Sequence, residues 1–188
     1  MESLNSDDDR ARFSTVVLPY LGDAYALARW LTGDRADAED VVQEACLRAF
    51  LGIGGFAGTN ARAWLLTIVR HAAYTWLAKN RSASLLVVED LEAVEQQQAS
   101  AAAAFGQDAQ TPEAALIAKA DTRRLESAIA ELPVPFRETL VLRDVQGLDY
   151  REIAEVTKVP IGTVMSRLAR ARRRLIERIA TDEAKGGS

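Results

Sequence analysis

Apolar residues recur along this chain in steps of three and four, the spacing of helices that each bury one face. Over Ala36 to Leu51, Val42, Ala45, Cys46, Ala49 and Phe50 fall together, while Asp40, Gln43, Glu44 and Arg48 lie largely elsewhere on the circumference. Gly33 is placed to close a shorter helix from about Asp23 to Thr32, because glycine enters left-handed backbone without a Cβ clash. Asp34 or Asp37 can cap the helix that follows. After a glycine-rich loop over 52–59, Trp64, Leu65, Ile68, Val69, Ala72, Trp76 and Leu77 predict a third helix from about Ala61 to Lys79. Residues from about Phe13 to Arg81 thus read as one compact helical domain.

The periodicity lapses over Ser82 to Gln110, where a glutamine triplet, an alanine run and scattered acids read as a linker, with a transient helix around Val88 to Gln97. Thr111, Pro112 and Glu113 restart a helix, since proline fits a first turn and the hydroxyl accepts an orphan N–H. That helix stops near Leu132 and Pro133; Pro135 can open the next, and Gly147 can close it. Asp149, Tyr150, Arg151 and Glu152 have the spacing of a capping box, so another helix starts at Tyr150. Ile153, Ala154 and Thr157 line one side of it, Lys158, Val159 and Pro160 interrupt it, and a further helix runs from about Ile161. This is the layout of a helix-turn-helix.

In that last helix Ile161, Val164, Leu168, Ala171 and Leu175 form an apolar stripe, and Thr163, Ser166, Arg167, Arg170 and Arg174 take the opposite face. Set into a major groove, those five side chains can donate to guanine edges and phosphates while the stripe docks on the preceding helices. An amphipathic surface helix with solvated arginines is the plain alternative. The capping box, the small Ala154 where two helices must approach, and the short turn favour the DNA-reading one.

Charge and composition narrow the picture. The 188 residues carry a net charge of -4, which by itself disfavours binding to a polyanion. Its distribution runs the other way: Arg123 to Thr181 holds twelve basic against eight acidic side chains, while Ser82 to Thr122 holds only Lys119 against seven acids. A single cysteine, Cys46, permits no internal disulfide and reads as a small core residue; with His71 as the only histidine there is no ligand set for structural zinc. No nucleophile–base pair, metal cluster or phosphate-cradling glycine motif appears, so neither an enzyme nor a cofactor is expected. The acidic start, with Asp7, Asp8 and Asp9, lacks the form of a secretory signal, and no run approaches the roughly 18 apolar residues of a membrane span, so the expectation is a cytoplasmic protein without membrane insertion.

Two stretches, DAEDVVQEACLRAF with ARAWLLTIVRHAAYTWLAKNR and then ELPVPFRETLVLRDVQGLDYREIAEVTKVPIGTVMSRLARARRRL, resemble the extracytoplasmic-function (ECF) sigma factors of the sigma-70 family, and the resemblance covers most of the chain. It implies an all-α protein of two small helical domains joined by a flexible linker: a disordered tail over 1–12, sigma domain 2 over 13–81, the acidic linker over 82–110, sigma domain 4 with the helix-turn-helix over 111–181, and a disordered tail over 182–188. It implies that Asp40, Gln43 and Glu44 grip the clamp helices of the polymerase beta-prime subunit, with the beta flap as a further contact. From the residues alone, those three read as simply solvating a helix.

The resemblance further implies that the loop Gly54 to Asn60 forms a pocket for a flipped minus-10 base, and that Asn60, Arg62, Arg70, His71, Tyr74 and Thr75 face promoter DNA there. Thr163, Ser166, Arg167, Arg170 and Arg174 would read the minus-35 element, and a cognate anti-sigma factor would clamp the two domains. Trp64, Ile68 and Trp76 read as core. His71 stands where the family often has asparagine, Lys158 where glycine is usual in the turn, and Met165 where a basic reader is common. A LuxR-type regulator with an unrelated helical sensor is the competing reading; it would bind an operator without polymerase.

Overall fold

The computed structural model describes residues 2–80 and 112–186, with side chains over 7–80 and 122–181. The expected linker over 82–110 and the capping Thr111 lie outside the described residues. Everything regular among those described is helical: α1 (Glu2–Val16), α2 (Leu21–Thr32), α3 (Arg35–Gly52), α4 (Ala61–Asn80), α5 (Pro112–Glu131), α6 (Val134–Leu140, continued by a π-helical turn over Val141–Val145), α7 (Tyr150–Thr157) and α8 (Ile161–Gly186). Short 3-10 turns at Leu18–Tyr20 and Ile53–Gly55 join the early helices.

The caps sit where the punctuation places them. Gly33 closes α2 at φ 80° and its N–H donates to the Arg29 carbonyl at 3.0 Å. Asp34 caps α3, accepting from the N–H groups of Ala36 at 2.8 Å and Asp37 at 3.3 Å. Those donated bonds favour the ionised carboxylate and lower its pKa from 3.8. In the second half, Asp149 accepts from Arg151 and Glu152 while Glu152 reaches back to the Asp149 N–H at 2.9 Å, completing the capping box of α7. Lys158 ends α7 in left-handed backbone at φ 58° and ψ 36°, a conformation that favours glycine.

Helices α2, α3 and α4 pack around Leu27, Leu31, Val41, Ala45, Ile53, Leu65, Leu66, Val69 and Leu77, all buried. The residues chosen by periodicity behave accordingly, except that Val42, Cys46, Phe50, Trp64, Ile68 and Trp76 are only half-buried at the rim. Helices α6, α7 and α8 close around Phe136, Leu142, Leu148, Ile153, Val156, Val164, Leu168 and Ala171. Ile161 departs from its stripe and stays 42% exposed, because it sits in the first turn of α8, ahead of the level at which α6 and α7 cover that face.

The described residues towards both ends are helical. The expected tail over 1–12 lies in α1, which is tied down where Phe13 packs edge-on against Phe50 at 5.6 Å and Arg12 donates to the Phe56 carbonyl at 2.8 Å. The expected tail over 182–188 is helical as far as Gly186, an extension of α8 that adds one backbone bond per residue once the helix is nucleated. The larger finding concerns the two halves together. The buried apolar side chains form one continuous cluster, with α4 against α7 and α2 against α6. The domains are docked.

Candidate functional site

Three surfaces carry the polar residues singled out from the sequence. On α3, Asp40, Gln43 and Glu44 are all exposed and share one face. Glu44 pairs with Arg48 one turn on, at 2.8 Å. The sequence reading missed two neighbours on this face, Leu47 at 55% and Leu51 at 76% exposure. Positions 40, 43, 44, 47 and 51 make one stripe, acidic then apolar, and an exposed leucine pair beside polar groups is the form of a helix-docking surface. The signal was available: both leucines break the polar side of the α3 pattern.

On α4 the expected DNA-facing residues divide into two groups. His71 and Thr75 are exposed. His71 lines an open hollow with Arg48, Gly52, Gly55, Phe56, Trp64 and Ile68. Partial burial, then the charges of Arg70, Lys158 and Arg48, push its pKa below 6.5. The other four are turned into the seam with the second domain. Asn60 caps α4 by accepting from the Ala63 N–H at 2.9 Å and donates its amide to Glu152 at 3.0 Å. Arg62 donates to Asp23 at 2.6 Å and to the Gln146 carbonyl at 2.8 Å.

Arg70 and Tyr74 meet a buried acid. Glu138 of α6 is wholly buried, with Arg70 Nε 2.6 Å from one carboxylate oxygen and the Tyr74 hydroxyl donating to the other at 3.1 Å. The Arg70 contact has ion-pair distance without the alignment of a hydrogen bond. Its guanidinium also lies over the Tyr74 ring, 4.4 Å from the centroid. Burial raises the Glu138 pKa above 4.5 against the opposing pull of Arg70, and burial likewise raises that of Tyr74 far above 10. Beside this cluster Arg137 donates to the Trp30 carbonyl at 3.1 Å across the seam and to the Leu132 carbonyl at 2.9 Å in its own domain. Gln146 donates to the Asp23 carbonyl at 2.8 Å.

None of Glu138, Arg137, Gln146 and Glu152 was singled out as a site residue. The charged pair Arg137–Glu138 inside a largely apolar helix was the available sign of burial, and it carried no indication of the partner.

On α8 the five expected readers, Thr163, Ser166, Arg167, Arg170 and Arg174, are all half-buried. Ser166 donates to the Thr163 carbonyl at 3.0 Å. Arg167 faces the Glu138–Tyr74 cluster closely enough to act on both electrostatically. Arg174 lies over the Phe136 ring at 5.2 Å and lines an open groove with Glu131, Leu132 and Arg178. By helix rise it is roughly 16 Å further along the axis than Thr163. Met165 is 52% exposed near the start of the same helix.

Between the loop after α3 and helix α7 runs a cleft of about 430 Å³, lined by residues 55–60 with Trp64, Thr67, Glu155 and Lys158. That falls in the range of roughly 300–1,000 Å³ that holds small ligands, enough for an unstacked base. Phe56 and Trp64 pack at its wall with centroids 4.7 Å apart and their rings tilted by 36°. Gly58 has the Phe56 ring 3.0 Å from where its Cβ would stand, so a side chain there would press on that platform.

Comparison with known proteins matches both halves. A family model described as Sigma-70 region 2 matches residues 16–83, and one described as Sigma-70, region 4 matches 122–175. The RNA polymerase sigma-H factor of Pseudomonas aeruginosa is 34% identical over 92% of this chain and 88% of its own length. The ECF RNA polymerase sigma-E factor of Haemophilus influenzae is 32% identical over 91% and 89%. The sigma factor RpoE from Bartonella quintana, solved in complex with the anti-sigma factor NepR, aligns with a TM-score of 0.64 at 26% identity, covering 90% of this chain and 98% of that one.

Proposed function

The chain belongs to the ECF sigma factors of the sigma-70 family, RNA polymerase subunits that direct the core enzyme to promoters, and from that premise we propose how its surfaces divide the work. The exposed stripe of α3, Asp40, Gln43 and Glu44 continued by Leu47 and Leu51, holds the clamp helices of beta-prime. An acidic head followed by exposed leucines suits a helical partner with basic and apolar turns. The α4 face and the cleft over 55–60 take the opened minus-10 element, with Phe56 and Trp64 as an apolar platform and the loop backbone close to the nucleotide.

The start of α8 reads the minus-35 duplex through Thr163, Ser166, Arg167 and Arg170, since recognition helices contact base edges near their N-terminal ends. Arg174, further down and over Phe136, belongs to packing and phosphate contact. The chain itself performs no catalysis; the chemistry is the polymerase's. An anti-sigma factor is its natural regulator, as the Bartonella sigma factor is found in complex with one, and its place of action is the cytoplasm, in response to a stress or signal.

The observation that carries this reading is the presence in one chain of a docking stripe on α3 and a capped helix-turn-helix with an arginine-bearing second helix. Transcription from a randomised promoter library, with purified core enzyme and this protein, tests it. Two enriched elements at a fixed spacing are expected. Enrichment independent of core enzyme would instead favour an operator-binding regulator.

A further inference from the structure

The residues that face outwards at the start of α8 are not its arginines. Over residues 161–170 only Ile161, Gly162, Met165 and Ala169 are exposed, and none of them is charged. Ile161 is 42% and Met165 52% exposed, and at a spacing of four they share one side of the helix. The four residues fall within an arc of roughly 100° and span roughly 12 Å of helix, which matches the width of about 12 Å of a B-DNA major groove. Gly162, in the same arc, is not demanded by the fold. A Cβ built there meets no atom within 4 Å, and its backbone is right-handed, so neither space nor conformation requires glycine. Glycine is a poorer helix residue than alanine, and a helix accepts it where another surface must come close to the backbone. The surroundings indicate which surface: from Lys158 to Ile176 the chain carries six basic side chains and no acid, the setting for a polyanion and not for an apolar protein groove.

We propose that this uncharged face of α8 selects thymine: Met165 and Ile161 lie against C5-methyl groups in the major groove of the minus-35 duplex, and Gly162 lets the helix backbone approach the base edges. The inference rests on the reading of α8 given under Proposed function and names the chemical group that this helix recognises. Thymine is the one base of the four that presents a methyl group in that groove. Methionine suits the contact, because its unbranched and polarisable thioether adapts to the shape it meets. Burying one methyl is worth about fourfold in affinity, enough to rank thymine above cytosine at a position where no hydrogen bond decides. Ser166 and Arg170, half-buried at the edge of the same face, supply the polar contacts that fix the helix in the groove.

The test uses the full chain with core polymerase, on duplexes carrying the upstream element enriched from the randomised library. Each thymine of that element is replaced in turn by deoxyuridine, which removes the C5-methyl and keeps the O4 acceptor. Promoter binding is compared for the parent, Met165→Ala and Gly162→Ala, together with thermal melts and core affinity. The parent is expected to lose about fourfold at one or two thymines. Met165→Ala should bind the thymine duplex about as the parent binds the deoxyuridine one, and deoxyuridine should then cost it little more at that position. Gly162→Ala should melt about 1 to 3 °C higher and yet bind the element about fivefold more weakly. A folding defect would lower both, so the opposite signs separate a groove contact from a structural role.

An enriched upstream element that tolerates deoxyuridine throughout, or that has no thymine on either strand, overturns the methyl contact while promoter recognition stands. A silent deoxyuridine scan joined to weaker core affinity of Met165→Ala also overturns it and gives the face to a protein partner. Binding by Gly162→Ala as tight as the parent's overturns the close approach of the backbone. A library that yields no upstream element at all removes the functional reading, and the choice of thymine with it.

Discussion

One oxygen of the Glu152 carboxylate accepts from the Asn60 side-chain amide at 3.0 Å while the other accepts from the Asp149 N–H at 2.9 Å. A single side chain thus caps α7 and joins it to the cap of α4, since Asn60 itself accepts from the Ala63 N–H. Losing a cap costs about 1 kcal/mol, and Glu152→Ala and Asn60→Ala are each expected to lower stability by about that amount. Because they share a bond to a charged group, the double variant should lose less than the two together, by about 0.5 to 1.5 kcal/mol. Urea unfolding of the four proteins measures this coupling. Strict additivity would mean that the seam is open in solution.

Lys158 holds left-handed backbone at φ 58° in the turn of the helix-turn-helix. An L-residue there costs roughly 1 kcal/mol, which glycine avoids at some expense in unfolded-chain entropy. Lys158→Gly is expected to stabilise the chain by about 0.5 kcal/mol in a thermal melt, and a loss would show that the ammonium has a compensating role.

As the only histidine, His71 gives an isolated imidazole titration. Its pKa lies below 6.5 in the folded chain, through partial burial and then the nearby Arg70, Lys158 and Arg48. The unfolded chain therefore binds the proton more readily. Stability is full above 6.5 and is lost as pH falls from there through the folded pKa. Phosphates brought near the ring reverse the cationic field, so DNA bound at α4 should raise the His71 pKa in an NMR titration. An unmoved titration would place the DNA elsewhere.

The arginines of α8 separate by position. Arg167→Ala and Arg170→Ala should each cost about 1 to 3 kcal/mol of minus-35-dependent promoter binding if the contact to a guanine is bidentate. For Arg174→Ala, over the Phe136 ring, the expected loss is chiefly of folding stability, about 0.5 to 1 kcal/mol. Promoter-binding and unfolding measurements on all three check the division, and equal promoter losses would refute it.

Leu51 is 76% exposed at the end of the α3 stripe. Leu51→Asp should change unfolding stability by no more than about 0.5 kcal/mol while weakening association with core polymerase. Unchanged core affinity would remove the apolar half of that surface.

Much of this fold is local and therefore legible in a linear reading. Helix limits follow from groups within four residues of each other: Gly33 and Asp34 around the second turn, and Asp149 with Glu152 at the start of α7. The stripe of Val164, Leu168, Ala171 and Leu175 is buried because period alone dictates which face an amphipathic helix hides. The seating of α1 escaped that reading because it depends on Phe13 meeting Phe50 and Arg12 meeting the 3-10 turn, contacts some forty residues distant in the chain.

By itself, then, the sequence determined the helices, their caps and the helix-turn-helix, because each rests on short-range spacing, and it named the polar side chains proposed to face nucleic acid. Only the tertiary structure decided which of those side chains are presented. Asn60, Arg62, Arg70 and Tyr74 are turned to Glu152, Gln146 and Glu138, separated from them by 64 to 92 residues. No periodicity encodes that pairing. It arises when two folded surfaces with matching donors and acceptors meet beside a shared apolar core.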